Sequence, residues 1–310
     1  MLVSIVIVNY NGRTFLQECL SSLYTITYDD YEVILVDNNS SDGSVAFVRQ
    51  NFPDVVVKQL DANYGFAKAN NIGADIAKGK LLLFLNNDTK VTEGFLEPLV
   101  DEIVSNDIAI CQSLLLKFDG TVDSAGDFVD KYGRAYNSKT IPEKTSPILS
   151  ARGACMMIKK DVFDELGGFD EKFFVSFEDI DLGLRSCMWG FKTVIVPNSI
   201  VYHYGSTTIS KMAKEIRFHA LKNILILQLV NFETWTSLKN LTFLFSEYFF
   251  RKLFNRSIIP KYENQSPIPS LQTVFKTLFW LIKNLTYIKN KKQLVNSKKI
   301  RTTDDLLKFG

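Results

Sequence analysis

The sequence predicts an α/β fold: one Rossmann-like, mostly parallel sheet flanked by helices, followed by a basic, amphipathic helical extension. Three observations predict it. Short β-branched apolar runs alternate with helix-like stretches through the first half, as in βαβ units. Acids and amides recur where those runs end. The charge also reverses along the chain: residues 1–204 carry 18 Lys+Arg against 28 Asp+Glu, and residues 205–310 carry 18 against 6.

Ser4–Val8, Glu32–Val36, Val55–Leu60 and Leu81–Leu85 are apolar enough for strands buried on both faces. Between them Thr14–Leu23 and Ser44–Asn51 have helical spacing, and Gly65–Lys78 is rich in Ala, Asn and Ile. Residues 120–150 lack a period and read as loops and short strands over an acceptor side. Helical character returns at Asp161–Leu166 and Glu178–Trp189. Thr193–Val196 and Ile200–Tyr202 read as closing strands that end at His203. These spans divide the chain into residues 1–210, a catalytic domain with halves of about 1–110 and 111–210, and residues 211–310.

The last hundred residues place bulky apolar side chains at three- and four-residue spacing over Ser237–Arg256 and Ser270–Lys292. In the second stretch Val274, Leu278, Leu281 and Leu285 are expected to share a face, with Lys276 and Lys283 on another. Pro260, Pro267 and Pro269 separate the two. Basic amphipathic helices of this kind suit an anionic membrane surface, here through residues 237–292; packing on the catalytic domain is the plainer alternative. Nucleic acid is not expected, because such modules interleave exposed aromatics with basic residues on a groove. Cys19, Cys111, Cys155 and Cys187 form no CxxC pair, which disfavours a zinc knuckle and fits a reducing compartment. The expectation is a cytoplasmic protein, peripheral on the inner face of the cell membrane.

In open α/β sheets, ligands bind beyond the carboxyl ends of the strands. Asn9, Tyr10 and Asn11 follow the first run, Asp37 and Asn38 the second, and Asn86, Asn87 and Asp88 the fourth. Asp37 can accept a hydrogen bond from a ribose or a base, or cap its own turn. Asp88 can bind Mg²⁺ or Mn²⁺, which commonly take one or two protein carboxylates plus phosphate and water. No G-x-G-x-x-G follows the first strand, which disfavours a nicotinamide or flavin enzyme. Glu178, Asp179 and Asp181 stand among Phe173, Phe174, Phe177 and Leu182. Close like charges in such a setting raise one another's pKa and suit a proton acceptor, although first-turn acids also stabilise a helix dipole. A neutral His203 is a reasonable further metal ligand, whereas His219, inside the Ile216–Leu229 helical pattern, reads as structural.

Taken in order, several motifs resemble the family 2 glycosyltransferases of the GT-A fold, from Val3 to about Gly205. They are Val3–Gly12, Val36–Ser44, Asn63-Tyr64-Gly65-Phe66-Ala67 with Asn70-Asn71, Leu85–Thr89, Gly153–Met156, Gly167–Glu171, Glu178–Asp181 and His203. The rhamnosyltransferase-like enzymes of surface polysaccharide assembly are similar. The resemblance implies that Asn9, Tyr10 and Asp37 hold base and ribose, with Asn63 and Asn70 shaping the donor pocket. It places Asn86-Asn87-Asp88 at the family's D-x-D motif, with Asn86 in place of its first Asp, and Asp88 and His203 as metal ligands. Gly153, Ala154 and Cys155 would lie beside the donor sugar and acceptor, Asp179 would be the general base, and Glu178 would orient the acceptor hydroxyl. The implied reaction is inverting transfer of a sugar, rhamnose among the candidates, from a nucleotide-diphosphate donor to a glycan or lipid-linked glycan. A nucleotidyltransferase and a catalytically degenerate sugar-nucleotide-binding scaffold are the rivals.

Overall fold

The computed structural model describes residues 1–205, 213–254, 269–302 and 305–306. The chain opens with strand β1 (Val3–Asn9), helix α1 (Arg13–Leu23), β2 (Tyr31–Asp37), α2 (Ser44–Asn51), β3 (Val56–Gln59), α3 (Gly65–Ile76) and β4 (Leu81–Asn86). These four strands are parallel in the order β4-β1-β2-β3. Successive side chains of β1 enter opposite cores. Ile5 and Ile7 pack with Leu16 and Leu20 of α1, while Val6 packs with Ala67 and Ala74 of α3. Burial on both faces is why the strand reads as an unbroken apolar run.

The second half is more mixed. It comprises β5 (Thr89–Val91), α4 (Leu96–Ser105), β6 (Ile110–Leu116), β7 (Val122–Ser124), β8 (Asp127–Val129), β9 (Ala135–Asn137), β10 (Ser146–Pro147), β11 (Cys155–Lys159), α5 (Lys160–Leu166), α6 (Glu178–Met188) and β12 (Thr193–His203). Strand β11 inserts antiparallel between β4 and β6, and β6 pairs parallel with β12. The two expected closing strands are one strand with a register shift between Val196 and Ile200. There the Ser199 hydroxyl meets Ser113 Oγ at 2.7 Å and donates to the Phe95 carbonyl at 2.6 Å. The end of β12 pairs antiparallel with β5, His203 opposite Thr89, and this sets His203 beside Asp88.

Four helices follow: α7 (Ala213–Asn231), α8 (Thr234–Phe254), α9 (Leu271–Lys283) and α10 (Leu285–Ser297). The stretch expected as one helix over Ser270–Lys292 is therefore two, broken at Asn284. The expected face also differs. Thr277 and Leu281 are buried, whereas Leu278 and Leu285 are exposed, because α9 turns its four-residue ridge at Thr277 and Leu281 toward α7. Pro260 and Pro267 lie outside the described residues. Among the described residues no helix is long and apolar enough to cross a membrane.

These helices pack into the first 205 residues through buried contacts. Lys291 of α10 is buried; its ammonium pairs with Asp181 Oδ1 at 2.8 Å and with Asp170. Tyr287 donates to Asp170 at 2.6 Å. Arg185 takes the other oxygen of Asp181 at 2.9 Å and donates to the carbonyls of Leu166 and Gly168. Breaking a buried pair by removing one partner strands the other charge. Lys291→Met is therefore expected to lower the unfolding free energy by about 3 kcal/mol. Urea unfolding followed by circular dichroism measures it, and a loss under about 1 kcal/mol would contradict the role.

Candidate active site

The strand ends and the segment before α6 enclose a cleft of about 1020 Å³. Tyr10, Asn38, Asn63, Asn86, Asn87 and Asp88 line one part of it. Gly153, Ala154, Glu178 and Asp179 line another, with His203 also present. These sequence-expected residues are thus brought together.

The remaining expected residues support the walls from behind. Asn9 and Asp37 are fully buried and hold each other. The Asn9 amide donates to Asp37 Oδ1 at 2.9 Å and to Ser40 at 3.1 Å, and its oxygen accepts from Asn87 at 2.8 Å. Register explains the arrangement, because Asn9 lies directly opposite Asp37 in the β1–β2 pair. The other oxygen of Asp37 accepts the Ser40 N–H. Asn11 fastens the same loop by accepting from the Ser41 N–H at 2.8 Å. Asn70 is spent inside α3, donating to the Phe66 carbonyl. Cys155 turns to the opposite core, where burial pushes its thiol up to about 12 and Ser113 Oγ is its partner at 3.1 Å. It lies outside the cleft lining because alternate residues of β11 face opposite sides of the sheet.

Asp88 and His203 form the candidate metal centre. His203 Nε2 stands 3.2 Å from Asp88 Oδ1, and its Nδ1 stands 2.9 Å from Asp123 Oδ2. Burial alone would lower the imidazole's pKa, but the hydrogen bonds to Asp123 and Asp88 outweigh it and raise it to about 9. Among the described residues no cluster of three or more His, Cys, Asp or Glu could hold a metal. Two donors nonetheless fit, once the imidazolium gives up its Nε2 proton to become a ligand. At about 2.1 Å from an octahedral Mg²⁺ or Mn²⁺, adjacent ligands lie about 3 Å apart. A carboxylate on the far nitrogen is also the usual support of a metal-binding histidine. Asp123 and its neighbours Asp127 and Arg152 were not foreseen. They come from the aperiodic 120–150 region and the residue before Gly153, and the spacing of Asp123 and Asp127 gave little signal. Arg152 lies 3.7 Å from Asp123 and 3.5 Å from Asp127, in the cleft wall.

Asp179 opens α6. Its Oδ2 accepts the Gly153 N–H at 3.1 Å and its Oδ1 the Ile180 N–H at 2.8 Å. Glu178 beside it is buried, with one oxygen unpartnered among protein groups. Burial and then the charge of Asp179 push its carboxyl up to about 8. It is therefore protonated at neutral pH and able to donate a hydrogen bond.

The backbone before α6 is unusual. Phe174, Ser176 and Phe177 all have φ between 62° and 70°, a region that costs non-glycine residues about 1 kcal/mol each. Asn223 of α7, fully buried, compensates by donating to the carbonyls of Phe173, Val175 and Ser176 at 2.9, 3.0 and 2.6 Å. On the other side the Phe66 N–H donates to the Phe174 carbonyl at 2.6 Å. Gly65 must be glycine here, since its φ is +83° and a Cβ would stand 2.5 Å from that carbonyl oxygen. His219 stacks on Phe174 with ring centroids 4.7 Å apart. Burial and then Lys222 depress its pKa to about 4, in keeping with a structural role.

The sequence model of Glycosyl transferase family 2 matches residues 4–167. The O-antigen biosynthesis protein RfbC of Myxococcus xanthus is 32% identical over 66% of this chain and 17% of its own length. The N-acetylglucosaminyl-diphospho-decaprenol L-rhamnosyltransferase of Mycobacterium tuberculosis is 26% identical over 64% of this chain and 75% of its own length. Among solved structures, GalNAc-T7 with UDP, GalNAc and Mn²⁺ superposes with a TM-score of 0.61. That likeness covers 93% of this chain and 57% of the other at 19% identity, and shows the GT-A type fold.

The raised Glu178 carboxyl gives a signed expectation for stability. An acid whose folded pKa exceeds its unfolded value stabilises at low pH, and the benefit is lost as pH rises from about 4.5 through about 8. The melting temperature of Glu178→Gln minus that of the parent should therefore increase between pH 5 and 8 and then level off. A difference that stays flat in a calorimetric pH series would exclude a raised Glu178.

Proposed function

Since this chain belongs to Glycosyl transferase family 2, we propose that it transfers a sugar from a nucleoside-diphosphate donor to a hydroxyl of a glycan or lipid-linked glycan, with inversion, in surface polysaccharide synthesis. The observation that carries the reading is a single cleft containing the Asp88–His203 pair, the amide-rich ends of β1, β2 and β4, and Asp179. Names of two relatives, one in O-antigen biosynthesis and one a rhamnosyltransferase, support rhamnose as the sugar and a polysaccharide intermediate as the acceptor. The family match disfavours a nucleotidyltransferase.

Asn38 and Asn63 brace the loops around the donor. Asn38 accepts from the Tyr64 N–H and donates to the Gly65 carbonyl, and Asn63 accepts from the Gly65 N–H. Tyr10 faces the same space. Asp88 and His203 would hold Mg²⁺ or Mn²⁺, which when bound neutralises charge on the diphosphate. Asp179, oriented by the Gly153 N–H, accepts the proton of the attacking hydroxyl. The neutral Glu178 beside it donates a hydrogen bond to the acceptor and does not compete for that proton. Attack opposite the diphosphate in one displacement inverts the anomeric centre. The exposed apolar residues of α8 and α9, Trp235 at 79% and Phe275 at 69% among them, together with the basic charge of this region, support peripheral attachment to an anionic membrane on its cytoplasmic side.

Asp179→Asn is expected to keep donor affinity and lose about 10²- to 10⁴-fold in kcat; near-normal turnover would remove Asp179 from the role. For the metal, Mn²⁺ binding in the presence of a nucleoside diphosphate, read by electron paramagnetic resonance, should weaken about 10- to 100-fold in Asp123→Asn. Unchanged Mn²⁺ affinity in that variant would mean that His203 is not a ligand.

A further inference from the structure

The cleft does not stop at the acids. Phe177, Leu221 and Ile224 line it and also line a second space of about 240 Å³, bounded by α7, α8, α9 and the β8–β9 turn. This groove is walled mainly by aliphatic and aromatic side chains, Leu225, Leu244, Phe245 and Val274 among them. Its charged residues, Arg134, Glu247 and Arg251, are engaged by contacts of their own. Sugar hydroxyls entering such a wall would lose their hydrogen bonds to water without replacement. A hydrocarbon chain would lose nothing of that kind.

Two placements decide which hydrocarbon. The groove starts at Phe177, the residue directly before Glu178 and Asp179, so its occupant is joined to whatever presents a hydroxyl to Asp179. Its outer walls are α8 and α9, the helices that expose Phe249, Leu253, Phe279 and Ile282 to solvent. The groove thus adjoins the acceptor side of the cleft at Phe177, Leu221 and Ile224, and two of the helices that wall it also carry exposed apolar side chains. Resting on the transferase reading above, we propose that this groove binds the first carbons of the hydrocarbon tail of a lipid-linked acceptor. Tail and headgroup then position the acceptor hydroxyl from two sides.

The test uses the full chain and three probes, methyl, hexyl and decyl diphosphate, each below its micellar concentration, with calorimetry as the readout. Affinity should rise by more than about tenfold from methyl to decyl, within a ceiling of about fourfold per methylene buried. Val274→Trp, which fills the groove, and Leu244→Gln, which makes it polar, should each remove most of that rise and leave methyl diphosphate binding unchanged, since neither residue lines the cleft itself. Affinity independent of chain length would overturn the proposal, as would a rise that both variants keep. Dihexanoylphosphatidylcholine should not displace decyl diphosphate; displacement would make the groove a site for bulk lipid and refute the acceptor assignment. Donor binding with Mn²⁺, measured on the same samples, separates the two readings. Donor binding without chain-length dependence defeats the groove alone, whereas no binding by any nucleotide sugar defeats the transferase reading and the groove assignment with it.

Discussion

The amide of Asn223 reaches across from α7 to three carbonyls within residues 173–176, and the position of Glu178 and Asp179 depends on that contact. Phe174, Ser176 and Phe177 would not hold left-handed conformations unaided. Two N–H hydrogens shared among three carbonyls, with the Phe66 N–H on the opposite side, fix the loop from both faces. Helix α6 then starts at a set place and direction, and its first turn delivers Asp179 to the Gly153 N–H. Behind it, the Asp170–Lys291–Asp181–Arg185 network fastens the body of the same helix to α10. Buried charge of this kind is not a large source of stability, but it penalises any other register of the helices that share it.

The sheet was legible in the sequence wherever burial is simple. β1, β2 and β4 are covered on both faces, so their apolar runs stand out. β6 and β11 do not read that way. β6 contains Gln112 and Ser113, both buried and paired with neighbouring segments, Gln112 with Ser124 and the Arg152 N–H and Ser113 with Cys155 and Ser199, and β11 is Cys-Met-Met-Ile-Lys, with little β-branching. The acids Glu178 and Asp179 stand out in the sequence as a motif, as do Asp88 and His203, and all four line one cleft. What could not be read was the division of labour among the amides. Asn9, Asn11 and Asn70 look like ligand contacts in the chain, yet each is bonded within the protein, Asn9 and Asn11 to the end of β2 and the segment that follows it and Asn70 to its own helix. Residue type states what a group can bond, and only the fold states what it has already bonded.

The C-terminal helices were hardest to read, for the same reason. Lys291 and Asn223 sit in patterns that resemble solvated helix faces, and nothing local distinguishes a lysine bound for two buried carboxylates from one bound for water. The expected division at about residue 210 follows the change of composition. Asn223, Lys222, Tyr287 and Lys291 all cross it to hold the segment between Asp170 and Asp181.

The family match ends at residue 167, just where this dependence on later helices begins. On the proposed reading, the strand ends that would receive the nucleotide lie within the matched residues, whereas Asp179, the proposed base, lies beyond them and is positioned by later helices. On that reading, a change in α7 or α10 that reshapes the acceptor side also shifts Asp179, so acceptor choice and turnover are mechanically coupled in this chain.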